Sequence, residues 1–284
     1  KVALSSWFRE DADNVRMALS TPQAMAKCWI DTLRLIADAG LMDTILYVDL
    51  CNEFPGDFWA PYFRNDPPWM TWSCWHTDAA MDYMRTAIAL VRQEYPDLPY
   101  CFSFDGENTH FYRERDLSFF DLAEHHIWMT KLNKQQFYHE VGQAKDGRFT
   151  EEAYHLLADH ALDVYHNKED YWKQLLVDGI QTLAADAKAA GLPLATTECW
   201  GITDYKDFPM LPWDWVKDLC ARGVETACQT GQWALMATSN FAAPQFCGMW
   251  RDVAWHQRLT TMIHEAPLPP EAEKTALGRT MRWE

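Results

Sequence analysis

The sequence predicts an α/β fold of the (β/α)8 barrel type, and three observations predict it. Apolar strand-like runs alternate with helix-period segments along the chain, the pattern of a parallel sheet with helical crossovers. Polar residues gather at the C-terminal ends of successive strand candidates: Ser5-Ser6-Trp7, Asn52-Glu53, Asp105 with Glu107, His126 with Trp128, Glu198 with Trp200, and Ser239-Asn240. That is the end at which a barrel of this kind keeps its site. No GxGxxG or GxxxxGK[ST] turn follows a strand, which argues against an open nucleotide-binding sheet.

The elements follow in order. "KVALSSWF" (1–8) reads as a strand entering a loop, and "TPQAMAKCWIDTLRLIADAG" (21–40) as a helix capped by Thr21, with Pro22 at its first position and Gly40 at its end. "TILYVDL" (44–50) is the next strand, followed by an aromatic loop and a helix from Thr77 or Asp78 to about Pro96. Strands at "LPYCFSF" (98–104) and "LAEHHIWM" (122–129) precede a polar, partly helical excursion over 131–169. A helix over 170–191, a strand at "LPLATTECWG" (192–201), a helix at "PWDWVKDLCARG" (212–223), a strand at "GQWALMATSNF" (231–241) and a helix over 249–266 complete the pattern. The tail is Pro-rich and then helical. With no internal repeat and no low-complexity linker, residues 1–284 read as one domain carrying a long insertion at 131–169.

Composition narrows the partner. The chain carries 25 Lys and Arg against 41 Asp and Glu, a formal charge of −16, which disfavours nucleic acid and anionic membrane surfaces. No apolar stretch approaches the ~18 residues of a membrane-spanning helix. Fifteen tryptophans, many in loop-like stretches such as "PPWMTWSCW", "MLPWDW" and "CGMWRDVAW", suit a cleft that offers flat aromatic faces to a carbohydrate. The eight cysteines are scattered without CxxC or zinc-finger spacing, reading as buried thiols and leaning toward a reducing compartment. His110, His125, His139, His155, His160 and His166 form no HExxH or other compact ligand pattern, so neither a catalytic metal nor a cofactor is expected. No G-x-S-x-G elbow is present for a serine nucleophile.

Two strands end in a glutamate, "VDLCNEF" at Glu53 and "LATTECWG" at Glu198. A strand-end glutamate alone reads equally as a salt-bridged or capping group. A pair is the minimum machinery for glycoside cleavage, one carboxyl donating a proton to the leaving oxygen and one ionised. Asn52 stands where it can hydrogen-bond a sugar hydroxyl. Asp105 and Glu107 flank Gly106 and read either as sugar ligands or as a turn.

On these motifs the chain resembles the clan A glycoside hydrolases, and within them the cellulase-like enzymes. The resemblance covers Lys1 to about His264. It implies that Glu53, after Asn52 at the end of the fourth barrel strand, is the acid/base, and that Glu198, at the end of the seventh, is the nucleophile of a retaining mechanism. It further implies that His126 and Trp128 hold the nucleophile and the sugar, with tryptophan where the family usually has tyrosine, and that Trp233 or Trp250 floors a sugar subsite. Trp7, Trp200 and Asn240 join them as substrate-binding candidates. If Glu53 ends strand four, "KVALSSWF" is strand three, and the first two βα units are expected to lie outside these 284 residues. The function implied is cleavage of a β-glycosidic bond in an oligo- or polysaccharide. The alternative is a non-catalytic carbohydrate-binding protein on the same scaffold. A barrel isomerase or aldolase would want a strand-end lysine or a metal cluster, and no candidate strand ends in lysine. The 131–169 excursion reads as a lid, a subsite wall or a contact with a second copy of the chain.

Overall fold

The structure, a computed structural model, describes residues 1–8, 13–63, 74–143, 150–203, 211–239 and 251–282. The chain divides into two compact units: Lys1–His125 with Asp186–Leu194 and Pro269–Glu284, and His126–Ala185 with Ala195–Leu268.

In the first unit, β1 (Val2–Ser5), β2 (Ile45–Asp49) and β3 (Tyr100–Cys101) form a parallel sheet in that order. Parallel neighbours need a crossover, and α1 (Pro22–Asp38) and α2 (Asp78–Glu94) supply the two. Both helices start where the sequence predicts. Thr21 Oγ1 accepts from Ala24 N at 3.2 Å and Thr77 Oγ1 from Ala80 N at 3.4 Å. The inner face of α1 buries Met25, Ala26, Trp29 and Leu33, and the Trp29 indole N–H donates to Leu50 O at 2.8 Å, docking the helix on the end of β2. After Phe102 the chain continues as β4 (Ser103–Asp105), then the short helix α3 (Phe111–Glu114) and β5 (Ala123–Trp128), the sheet neighbour of β4. Asp121 staples this end. Its carboxylate accepts from Tyr100 N at 2.9 Å, from Arg92 at 2.7 Å and from Ala276 N at 3.2 Å.

In the second unit, the last residues of β5 pair in parallel with β7 (Cys199–Trp200), Ile127 opposite Cys199 and Trp128 opposite Trp200. Thr196, which ends β6 (Leu194–Thr196), accepts from Ala237 N at 2.9 Å, just past β8 (Trp233–Met236). The excursion after β5 is largely helical: α4 (Leu132–Val141) and α5 (Glu151–Asn167), running into α6 (Glu169–Ala189). It is anchored on α7 (Asp214–Thr230) by aromatic packing. Phe137 stacks on Trp215 at 5.2 Å, Trp172 meets Phe137 edge-on at 5.3 Å, and Tyr165 lies 5.3 Å from Trp215. Lys168 pairs with Glu140 at 2.8 Å and Lys173 with Asp218 at 2.7 Å, tying the same helices at their rims. A further helix covers Val253–Glu265.

The α/β class with parallel strands stands as predicted, and each expected strand run contains an observed strand. Two of those runs are interrupted. "LPYCFSF" breaks at Phe102, where Ser103 N donates to the Asp49 carboxylate instead of a strand carbonyl, at 2.8 Å. "LPLATTECWG" breaks at Thr197-Glu198, where Thr196 Oγ1 turns onto Glu198 O at 3.1 Å. Among the described residues no disulfide joins any cysteines, and no helix is long and apolar enough to cross a membrane.

Just past the second break Trp200 adopts φ 101°, a costly conformation for a residue with a Cβ. Its indole is fully buried, donates to Ala237 O at 3.0 Å and lies against Gly223 of α7. A Cβ on Gly223 would stand 2.6 Å from the Trp200 ring. Gly223→Ala should therefore destabilise the fold by about 1–3 kcal/mol despite alanine's better helix propensity. A urea midpoint equal to or above that of the wild type would show that Trp200 has room to move.

Candidate active site

The first unit presents Glu53 at the end of β2. The chain leaving that strand is held on both sides: Asn52 N donates to Ser6 O at 3.1 Å, and Phe54 N to Ser103 O at 2.9 Å. Between them Glu53 adopts φ 43°, in the left-handed region. Its N–H donates to Ser103 Oγ at 2.9 Å. Asn52 and Glu53 are both buried, Glu53 retaining 7% exposure.

Beneath them lies Asp49, the last residue of β2. Its carboxylate accepts from Ser5 Oγ at 2.7 Å, Cys51 N at 3.2 Å, Ser103 N at 2.8 Å and Ser103 Oγ at 2.8 Å. Burial pushes the carboxyl up to about 6; the Ser5 hydrogen bond opposes this, the nearby Glu124 charge adds to it, and the Ser103 bonds oppose it. Glu124, also buried, accepts from Tyr47 OH at 2.8 Å, and burial followed by the Glu124 charge holds the Tyr47 phenol well above its ordinary range.

Asp105 is buried at the end of β4, whereas Glu107 is exposed. Gly106 between them has φ 114°, which glycine alone adopts without strain. His125 holds this turn. With its proton placed on Nε2 it donates to Gly106 O at 2.9 Å, while Tyr112 OH donates to Nδ1 at 3.1 Å. The turn reading of Asp105-Gly106 thus has a physical basis. Trp7 is 44% exposed, and its ring leans on the buried Trp59 at 5.1 Å.

The second unit presents Glu198 in the break between β6 and β7. His126 Nδ1, from the adjoining β5, lies 3.6 Å from Glu198 Oε2, and both side chains are buried. His126 and Glu198 are thus brought together. Trp128 is buried two residues on, with the Lys131 ammonium 5.9 Å from its ring centroid. Trp200 and Trp233 are buried too, their rings 6.1 Å apart, so in this structure they pack against each other rather than offer open faces. Asn240 and Trp250 lie outside the described residues.

Asp49 and Ser103 were not among the residues the sequence singled out. The available signal is an acidic residue inside the otherwise apolar "ILYVDL", four positions before Glu53.

Asp49 has a measurable thermodynamic signature. Its folded value lies above that of an unfolded aspartate, so the folded state holds the proton more tightly. Stability is full below the ordinary carboxylate range and falls as pH rises through about 6. Asparagine cannot titrate. The stability of Asp49→Asn relative to the wild type should therefore rise by on the order of 2–3 kcal/mol between pH 4 and pH 7.5. Urea unfolding of both proteins at the two pH values reads this difference, and parallel profiles would show that Asp49 does not titrate in that window.

A family profile described as "Cellulase-like: Sugar-binding cellulase-like" matches residues 1–264. A crystal structure of a "putative glycoside hydrolase" from Parabacteroides distasonis ATCC 8503 is 49% identical and superposes with a TM-score of 0.92, over 98% of this chain and 74% of that one. Among curated proteins none matches. A profile spanning most of the chain, joined to a structure this similar in both sequence and fold, establishes that the chain belongs to the cellulase-like glycoside hydrolase family.

Proposed function

We propose that the protein hydrolyses a β-glycosidic bond of an oligo- or polysaccharide with retention of anomeric configuration, on a (β/α)8-type scaffold. The observation that carries this reading is a buried glutamate paired with a buried histidine at a break in the strands, Glu198 with His126, in a chain of glycoside hydrolase family. Glu198 attacks the anomeric carbon as the aglycone oxygen leaves, giving a glycosyl ester. His126 steers the carboxylate by facing one of its oxygens, leaving the other for the sugar. Glu53 donates its proton to the departing oxygen, then takes one from the water that cleaves the ester, so the protons balance over the cycle. Asn52, adjacent and buried, supplies an amide for a sugar hydroxyl. Trp7 offers a partly exposed ring for stacking.

Glu198→Gln should lower turnover of aryl β-glycosides on the order of 10³-fold or more, because the amide is not a nucleophile. Glu53→Gln should lower it by about 10²–10⁴-fold on substrates with poor leaving groups. The first product anomer seen by proton NMR should be β. An α anomer would replace retention by inversion. A wild type that binds oligosaccharide but turns over none, like both variants, would make the protein a carbohydrate binder instead.

A further inference from the structure

Glu53 is asked to hold and release a proton while its own backbone sits at φ 43°. A non-glycine residue stays in that region only when its surroundings fix it there. Beside the backbone bonds of Asn52, Phe54 and Gly56, a hydroxyl takes part in holding it there. Ser103 Oγ accepts from Glu53 N at 2.9 Å and donates to Asp49 Oδ2 at 2.8 Å.

A serine hydroxyl has one proton and two lone pairs. Left to rotate, it can turn its proton toward the Glu53 amide and lose the bond. Asp49 removes that freedom by accepting the hydroxyl's hydrogen bond, and its other oxygen accepts from Ser103 N at 2.8 Å, so one carboxylate fixes both the side chain and the main chain of Ser103. Ser5 Oγ, donating to Oδ2 at 2.7 Å, and Cys51 N, donating to Oδ1 at 3.2 Å, fix the carboxylate in turn. Ser103 is fully buried and Asp49 nearly so.

We infer that Asp49 and Ser103 are positioning residues for the acid/base, a relay in which Asp49 orients the Ser103 hydroxyl and Ser103 holds the Glu53 backbone in its left-handed conformation. Neither touches the substrate, and both act through Glu53. The inference rests on the acid/base role proposed for Glu53. Asp49 and Ser103 serve one chemical step, proton donation by Glu53.

That step gives a readout that a purely structural role would not move. Proton donation matters when the leaving group is basic and becomes unimportant when it departs unaided. The test measures kcat/KM, which reports the first, glycosylating step, on a phenyl β-glycoside and a 2,4-dinitrophenyl β-glycoside of the same sugar. Wild type, Glu53→Gln, Asp49→Asn, Ser103→Ala and the double variant are compared, each checked for folding by circular dichroism and thermal melting. Asp49→Asn and Ser103→Ala should each lose about 10–100-fold on the phenyl substrate and stay within about threefold of wild type on the dinitrophenyl one. The double variant should be no worse than Ser103→Ala alone, because Asp49 acts through that hydroxyl.

Equal losses on both substrates, or no loss in either single variant, would overturn the inference while leaving hydrolysis intact. Additive losses in the double variant would overturn the relay. A Glu53→Gln variant without leaving-group dependence, or a wild type inert on both substrates, would remove the acid/base assignment and this inference with it. Should Asp49→Asn fail to fold, the Ser103→Ala comparison decides alone.

Discussion

The first unit depends on one buried carboxylate. Asp49 gathers four hydrogen bonds from Ser5, Cys51 and Ser103, joining the ends of β1, β2 and β4 at the point where the chain turns out toward Glu53. Burying a charge is costly unless its lone pairs are met, and here donors converge on both oxygens. The arrangement is not neutral in energy. The carboxyl remains harder to ionise than an exposed one, with Glu124 close enough to add to the effect of burial. A hydrophobic residue of similar volume would leave the Cys51 and Ser103 amides and the Ser5 and Ser103 hydroxyls without this acceptor. What a carboxylate does, and a hydrophobic residue does not, is dictate where a neighbouring hydroxyl points.

The second unit treats Glu198 in a comparable way with different chemistry. The strand carrying it is interrupted, Thr196 folds back onto the Glu198 carbonyl, and Trp200 takes an unusual backbone conformation directly beyond. The strain is met by packing, the indole wedged onto a helix position that has no side chain. The helices of the 131–169 excursion are held with similar firmness by Phe137, Tyr165, Trp172 and Trp215, so a segment that sequence alone leaves among lid, wall and contact surface is a packed part of its unit.

Much of this was legible in the residues. Thr21-Pro22 and Thr77 mark helix starts through local chemistry, and the apolar residues Ile45 to Val48 mark a largely buried strand. Glu53, Glu198 and His126 stood out because polar side chains at the ends of apolar strands need a reason. The strand breaks at Phe102 and Thr197 were not legible, since each is made by a hydrogen bond from or to a side chain in place of a ladder bond, and propensity carries no record of such substitutions. Asp49 was missed for a related reason: its partners Ser5 and Ser103 lie 44 and 54 residues away in sequence. Trp200 and Trp233 read as stacking candidates by type and position; in this structure both are buried, their rings 6.1 Å apart.

The Ser103 contacts also bear on how the sheet assembles. Phe102 and Phe104 flank Ser103, and both are completely buried. A slip of one residue in β4 would bring a phenyl ring to the Asp49 carboxylate, leave that charge short of two donors and turn the wrong face of the strand inward. The serine therefore favours one alignment of β4 against Asp49 over its neighbours.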